Sequence, residues 1–186
     1  MYFIQLFFLR IIPRLRGLVI RLWIILNGGK CGNLIVESGF RLKYPPHKGF
    51  KLGNNICFGK HVNLDVPIGS IITIGDDVSF TGYTYISVAE ALFIGSHVII
   101  GEFVSIRDAN HGTSLEANVF IKDQKMKPKK IEIEDNIWIG RGVCILSGVR
   151  ITSGSVIGSN AVVNKPLLIS NAIYAGIPCK YIKNRM

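Results

Sequence analysis

Along residues 133–163 the large aliphatic side chains return at one fixed interval. Ile133, Ile139, Ile145, Ile151, Ile157 and Val163 stand six residues apart. Two positions before each later member comes another compact side chain: Ile137, Val143, Val149, Ser155 and Ala161. Glycine tends to follow the large residue, as in Ile139-Gly140 and Ile157-Gly158. A period of six fits neither a 3.6-residue helix nor plain strand alternation. It fits a short strand, a tight turn and another short strand, repeated in phase, and such self-similarity predicts a parallel β-solenoid. The same phase runs through Leu52, Phe58 and Leu64, then Ile74, Phe80 and Ile86, then Ile94, Ile100 and Ile106. Each set of three predicts one turn of a triangular coil, about five coils in all. A coil cannot bury its aliphatic face alone, so the coils must stack. Ile74, Phe80, Ile94, Val98, Ile100, Val104, Ile139, Val143, Ile145 and Ile157 are expected to point inward.

Three stretches depart from the phase. Residues 1–26 are the most apolar part of the chain, interrupted by Arg10, Arg14, Arg16 and Arg21, and Pro13 is expected to break or kink a helix there. No uncharged run approaches the roughly 18–20 residues that span a bilayer, and the charge and cleavage features of a secretory signal are missing. Two readings stay open: an amphipathic segment in a membrane interface, or helices packed on the body, covering an end of the solenoid. Residues 27–51 carry the turn signals Asn27-Gly28-Gly29 and Tyr44-Pro45-Pro46 and read as a connector with one candidate strand, Leu34-Ile35-Val36. Small insertions are expected around Pro67–Thr73 and Ala89–Phe93. The phase stops after Ile106 and resumes at Ile133, and the polar, basic tract between is too long for a turn; such loops are usually functional or disordered. The expected organisation is a helical segment and connector over 1–51, a β-helix over 52–168 with a looped-out insertion at 107–132, and a short C-terminal extension over 169–186.

At 186 residues the chain allows one domain with an appendage. Its net charge of +10 favours anionic partners; no nucleic-acid motif accompanies it, so nucleic acid is not an expected partner. Cys31, Cys57, Cys144 and Cys179 lie far apart without a CxxC pair. That argues against a disulfide framework and a cysteine-rich zinc site, and suits a reducing compartment.

The hexads, the His111 tract Arg107-Asp108-Ala109-Asn110-His111-Gly112, the segment Asn136-Ile137-Trp138-Ile139-Gly140 and the ending Gly176-Ile177-Pro178-Cys179-Lys180 together resemble the hexapeptide-repeat acyltransferases, sugar O-acetyltransferase branch. The resemblance covers roughly residues 52–186. It implies a left-handed β-helix, against the usual right-handed crossover, a homotrimer with sites at subunit interfaces, acetyl-CoA as co-substrate and no metal. It also implies a sugar or glycan acceptor, such as capsule, lipopolysaccharide or a lipid-linked precursor. The expected location is cytoplasmic, with peripheral contact with the inner membrane if residues 1–26 seek lipid.

His111 is the candidate general base, since acetyl transfer to a hydroxyl needs its proton removed and histidine titrates near neutrality; a plain surface histidine is the alternative. Asp108 and Asn110 are candidates to orient the imidazole, or equally to serve turn chemistry; Glu102 is a further orienting carboxylate. Trp138, at an outward phase, is placed by the resemblance beside the pantetheine arm or the acceptor. A backbone amide of Gly140, Arg141 or Gly142 would face the thioester oxyanion. Gly158, Ser159 and Asn160 would offer backbone groups one coil later, and are turn residues in either case. Lys165, Lys180, Lys183 and Arg185 would meet the coenzyme A phosphates. The lysines from Lys122 to Lys130 read as a solvated loop rim or an anion-attracting patch. Because γ-class carbonic anhydrases share this fold and bind zinc through three histidines, His47, His61 and His97 are candidate metal ligands; His61 and His97 fall on different faces and read as surface histidines, so a metal site is not expected. No cysteine fits an acyl-enzyme route. Two rival functions are a xenobiotic or amino-sugar N-acetyltransferase and a non-catalytic solenoid scaffold.

Overall fold

A computed structural model describes residues 2–115 and 119–186, with the side chains of the N-terminal helix from Phe8 onward. Three sheets, parallel except for the last strand of the second, wind around one aliphatic core. The first contains Lys30–Cys31, Phe50–Leu52, Ile71–Ile74, Ala91–Ile94, Ile131–Ile133 and Arg150–Ile151. The second runs through Leu34–Val36, Ile56–Lys60, Ser79–Gly82, Ile99–Ile100, Trp138–Ile139 and Val156–Ile157, then adds Ala172–Ala175 and Lys180–Asn184. The third contains Arg41–Leu42, Asn63–Asp65, Tyr85–Ser87, Ser105–Arg107, Cys144–Ile145 and Val162–Val163. Hexad residues pair in register, Phe58 beside Phe80, Ile100 beside Ile139 and Ile106 beside Ile145. All ten residues expected to point inward are buried.

The first and third sheets each hold six strands, so the solenoid has about six coils rather than about five. The additional coil is the stretch read as a connector. Cys31 pairs with Leu52, Val36 with Phe58 and Leu42 with Leu64. A cysteine replaces the first aliphatic residue, and the next spacing is five instead of six, which hid the phase. The second sheet also continues past residue 168, where Ile173 and Tyr174 pair with Val156 and Ile157.

Helix α1 (Tyr2–Leu26) runs unbroken through Pro13. A proline inside a helix removes one hydrogen bond and costs about 3 kcal/mol. Packing of the turns that follow it compensates: Ile24 is buried, and Gly17 lies so close to the first coil that a Cβ there would come within 2.0 Å of the Leu34 carbonyl oxygen.

Corner amides left out of the strand ladders need partners, and the corners supply them from coil to coil. Where the first sheet turns into the second, the Asn54 amide donates to Asp76 Oδ1 (2.6 Å), the Asp76 amide to Ser96 Oγ (3.0 Å) and the Ser96 amide to Asp135 Oδ1 (2.7 Å). Asn55, Asp77, His97 and Asn136 take positive φ at the same corner, a conformation that asparagine and aspartate tolerate best.

Candidate active site

The candidate base lies where the third sheet turns back toward the first. After Arg107 the chain leaves the coil, and Ala109–Asn110 pairs antiparallel with Lys127–Pro128. The next residue is His111. Its neighbour Gly112 is buried, and a Cβ there would come within 2.8 Å of the Gln124 side chain. Gln124 in turn holds the loop together, accepting from the Ser114 amide at 2.9 Å and donating to the Ser114 carbonyl at 2.9 Å. His111 is therefore fixed at its backbone from both sides while its side chain is exposed, and it makes no side-chain hydrogen bond among the described residues.

Asp108 has a different task from orienting an imidazole. It is 1% exposed, and its carboxylate accepts the amides of Ala89 (2.7 Å), Glu90 (2.8 Å) and Ala91 (3.0 Å). This geometry is not local turn chemistry either, because the three amides lie far back along the chain: Asp108 anchors the loop exit to the preceding coil. Asn110 is exposed in the short ladder beside His111. Glu102 is engaged elsewhere, in an ion pair with Arg141 at 3.2 Å.

Trp138 is 56% exposed on the outer face of the second sheet. In register with it stand Ile99 on one side and Val156, Ile173 and Lys183 on the other. The outer face thus offers an apolar track that ends in a lysine, with Lys180 at the far end of the same edge strand. The adjoining corner stacks Gly140-Arg141-Gly142 on Gly158-Ser159-Asn160. Gly142 has φ +68°, and a Cβ there would come within 2.4 Å of Asn160 Oδ1. The amides of Gly140 and Gly142 donate to the Ile157 and Glu102 carbonyls, both at 2.8 Å, and that of Gly158 to Tyr174. They are spent within the solenoid, whereas the Arg141 and Ser159 amides make no hydrogen bond among the described residues. Lys165, Lys180 and Lys183 are exposed; the Arg185 guanidinium is tied to the Gly154 carbonyl at 2.7 Å.

Two features were not singled out from sequence. One is a ladder of rings at the corner between the second and third sheets. His61 stacks on Tyr83 (5.0 Å), Tyr83 on Phe103 (5.1 Å), and the Arg141 guanidinium lies 5.4 Å from the Phe103 ring centre. The one-coil spacing of these residues was the available signal. The other is apolar exposure on the loop: Leu115, Val119, Phe120, Ile121 and Met126 face outward among the lysines. Lys122 pairs with Asp123 and Lys130 with Glu132.

The thiols are kept neutral. Burial pushes Cys31 up to about 11 and raises Cys57, Cys144 and Cys179 as well. His61 stands at the ring ladder, His97 lies 3.7 Å from Asp77 at another corner, and His47 packs edge-on against Phe50. No metal-holding group of three such side chains occurs among the described residues.

Comparison with known proteins adds kinship to this geometry. No family model matches the chain. It is 30% identical over 137 residues to an Escherichia coli (strain K12) protein named for lipopolysaccharide biosynthesis O-acetyl transfer, covering 70% of this chain and 69% of that one. This chain belongs to the hexapeptide-repeat β-helix acetyltransferase family. A galactoside O-acetyltransferase of Lactococcus lactis is 40% identical over 135 residues, covering 73% of this chain and 56% of its own length. This chain therefore spans little more than half of that relative. Among solved structures, a polysialic acid O-acetyltransferase shares 25% identity at a TM-score of 0.61, covering 84% of this chain and 74% of that one. An N-acyltransferase from Bacillus cereus, in complex with dTDP and coenzyme A, has a TM-score of 0.72 at 21% identity, covering 84% of each chain, a likeness of fold.

Proposed function

We propose that this chain transfers the acetyl group of acetyl-CoA to a sugar hydroxyl of a surface glycan or its lipid-linked precursor, with His111 as general base, in a left-handed homotrimer on the cytoplasmic side of the membrane. One observation carries the reading. The loop bearing His111 leaves the corner between the third and first sheets, whereas the Trp138 track lies on the second sheet, across the triangle from that corner. One copy cannot bring the two together; a neighbouring copy can, and the exposed apolar side chains of the loop support such a contact. The track fits the co-substrate: Ile99, Trp138, Val156 and Ile173 suit the pantetheine arm, and Lys165, Lys180 and Lys183 suit the phosphates. His111 takes the hydroxyl proton as the sugar oxygen attacks the thioester carbonyl. The developing oxyanion meets an amide of the Arg141 or Ser159 corner. The C–S bond breaks, and the proton passes from His111 to the departing sulfur. Asn110 borders the base, and Asp108 acts through the backbone by holding the loop exit. The coenzyme A-bound Bacillus cereus fold and the named sugar O-acetyltransferases support the two substrates.

The test is incubation with acetyl-CoA and a panel of glycans and lipid-linked sugars, read by thiol release, product mass and the oligomer's mass by light scattering. An alkali-labile acetyl ester made by a trimer is expected. An alkali-stable amide would contradict O-acetylation in favour of an amino sugar, and full turnover by a monomer would contradict the shared site.

A further inference from the structure

Helix α1 carries two apolar faces. Pro13, Gly17, Ile20 and Ile24, spaced by three and four residues, turn toward the first coil; Pro13, Gly17 and Ile24 are buried. On the opposite side Ile11, Leu15, Leu18, Leu22 and Leu26 follow the same spacing and are all exposed. At 100° per residue, Arg14 borders this second stripe on one side, with Arg10 one step further round toward the packed face, and Arg16 flanks it on the other side, beside Trp23. The helix contains no acidic residue. Arg21, nearer the solenoid, is held by Asn33 at 3.1 Å. Packing on the protein and a surface-seeking face therefore coexist in one helix.

We infer that the outer stripe of α1 docks the end of the solenoid onto an anionic phospholipid surface, lying in the interface without crossing it. Crossing is disfavoured because no helix among the described residues is long and apolar enough for a bilayer. The occupant follows from charge and layout. Exposed leucines flanked by arginines place apolar side chains at acyl depth and guanidinium groups at phosphate depth. A second copy of this helix would instead bring arginine rows against arginine rows with no carboxylate to offset them. Alongside the stripe, an apolar cleft of about 420 Å³ between α1 and the Val36–Phe40 turn is lined by Leu15, Val19 and Phe40, with Arg16 among its walls, and extends the same surface. Gly17 keeps the helix pressed on the coil, so docking sets the orientation of the whole solenoid.

The experiment is co-sedimentation of the full chain with vesicles of phosphatidylcholine alone or with about one-third phosphatidylglycerol. The wild type is expected to pellet with the anionic vesicles and to be released by high salt. Leu15→Glu with Leu22→Glu, and separately Arg10→Gln with Arg14→Gln and Arg16→Gln, are each expected to lower the bound fraction at least tenfold. The arginine set leaves both apolar faces intact and guards against misfolding of the glutamate variant. Wild type remaining in solution with anionic vesicles overturns the inference, as does binding indifferent to the anionic lipid. If the glutamate variant instead loses oligomer mass without any vesicle binding by the wild type, a second copy covers the stripe. Sedimentation does not depend on turnover, so the catalytic reading stands or falls separately.

Discussion

At the scale of single residues, buried and half-buried carboxylates hold the coils together. Asp108 accepts three amides and forms no ion pair among the described residues. Hydrogen bonds to a charged group contribute about 1.5–3 kcal/mol each in favourable settings. Asp108→Asn turns one acceptor into a donor facing those amides, and is expected to destabilise the fold by about 2–4 kcal/mol, read from the urea midpoint; an unchanged midpoint would contradict the anchoring role. Glu134 is a milder case. Its hydrogen bonds to Arg150 and to the Ser153 amide hold its carboxyl below the usual range. The unfolded chain then binds the proton more readily than the folded one. The stabilisation is present above the ordinary carboxylate value and is lost as pH falls through the folded one. Glu134→Gln should cost about 1 kcal/mol or less near pH 7, as expected of a solvated ion pair, and the gap should close in acid. A gap that widens on acidification would contradict this.

At the scale of elements, corners differ in what they tolerate. Phe103 holds φ +60°, a strained choice for a bulky residue, yet stacks between Tyr83 and Arg141. Relief of about 1–2 kcal/mol of left-handed strain offsets about 0.5–1.5 kcal/mol of ring stacking. Phe103→Gly should therefore leave the melting temperature close to that of wild type. Gly142→Ala meets the strained φ and the Asn160 side chain together and should cost about 2 kcal/mol or more. Thermal unfolding of the two variants tests the contrast; equal losses would contradict it. The hexads were legible because Ile133 through Val163 keep a strict period. The first coil was not, because Cys31 and the five-residue step to Val36 break that period. The ring ladder escaped notice because His61, Tyr83 and Phe103 recur only once per coil, outside the aliphatic phase. The unbroken α1 was hidden for another reason: Gly17 and Ile24 dock on the first coil, whose phase is broken, and tertiary packing overrides Pro13.

At the scale of the molecule, the chain divides the candidate chemistry between two sides of a triangular prism. His111 and its loop stand at one corner, and the Trp138 track occupies the sheet across from it. The interruption around His111 was legible, and so was its exit after the third face, since Ile106 is the third member of its set. The task of Asp108 was hidden: its partners Ala89, Glu90 and Ala91 belong to the preceding coil, a contact that no local pattern encodes. The account rests most heavily on His111 as the base. The decisive measurement is acceptor-dependent thiol release from acetyl-CoA by wild type and His111→Ala, with coenzyme A binding checked in both. Loss of a general base should lower turnover by about 10²–10⁴-fold while binding persists. Equal turnover in the two proteins would contradict the account.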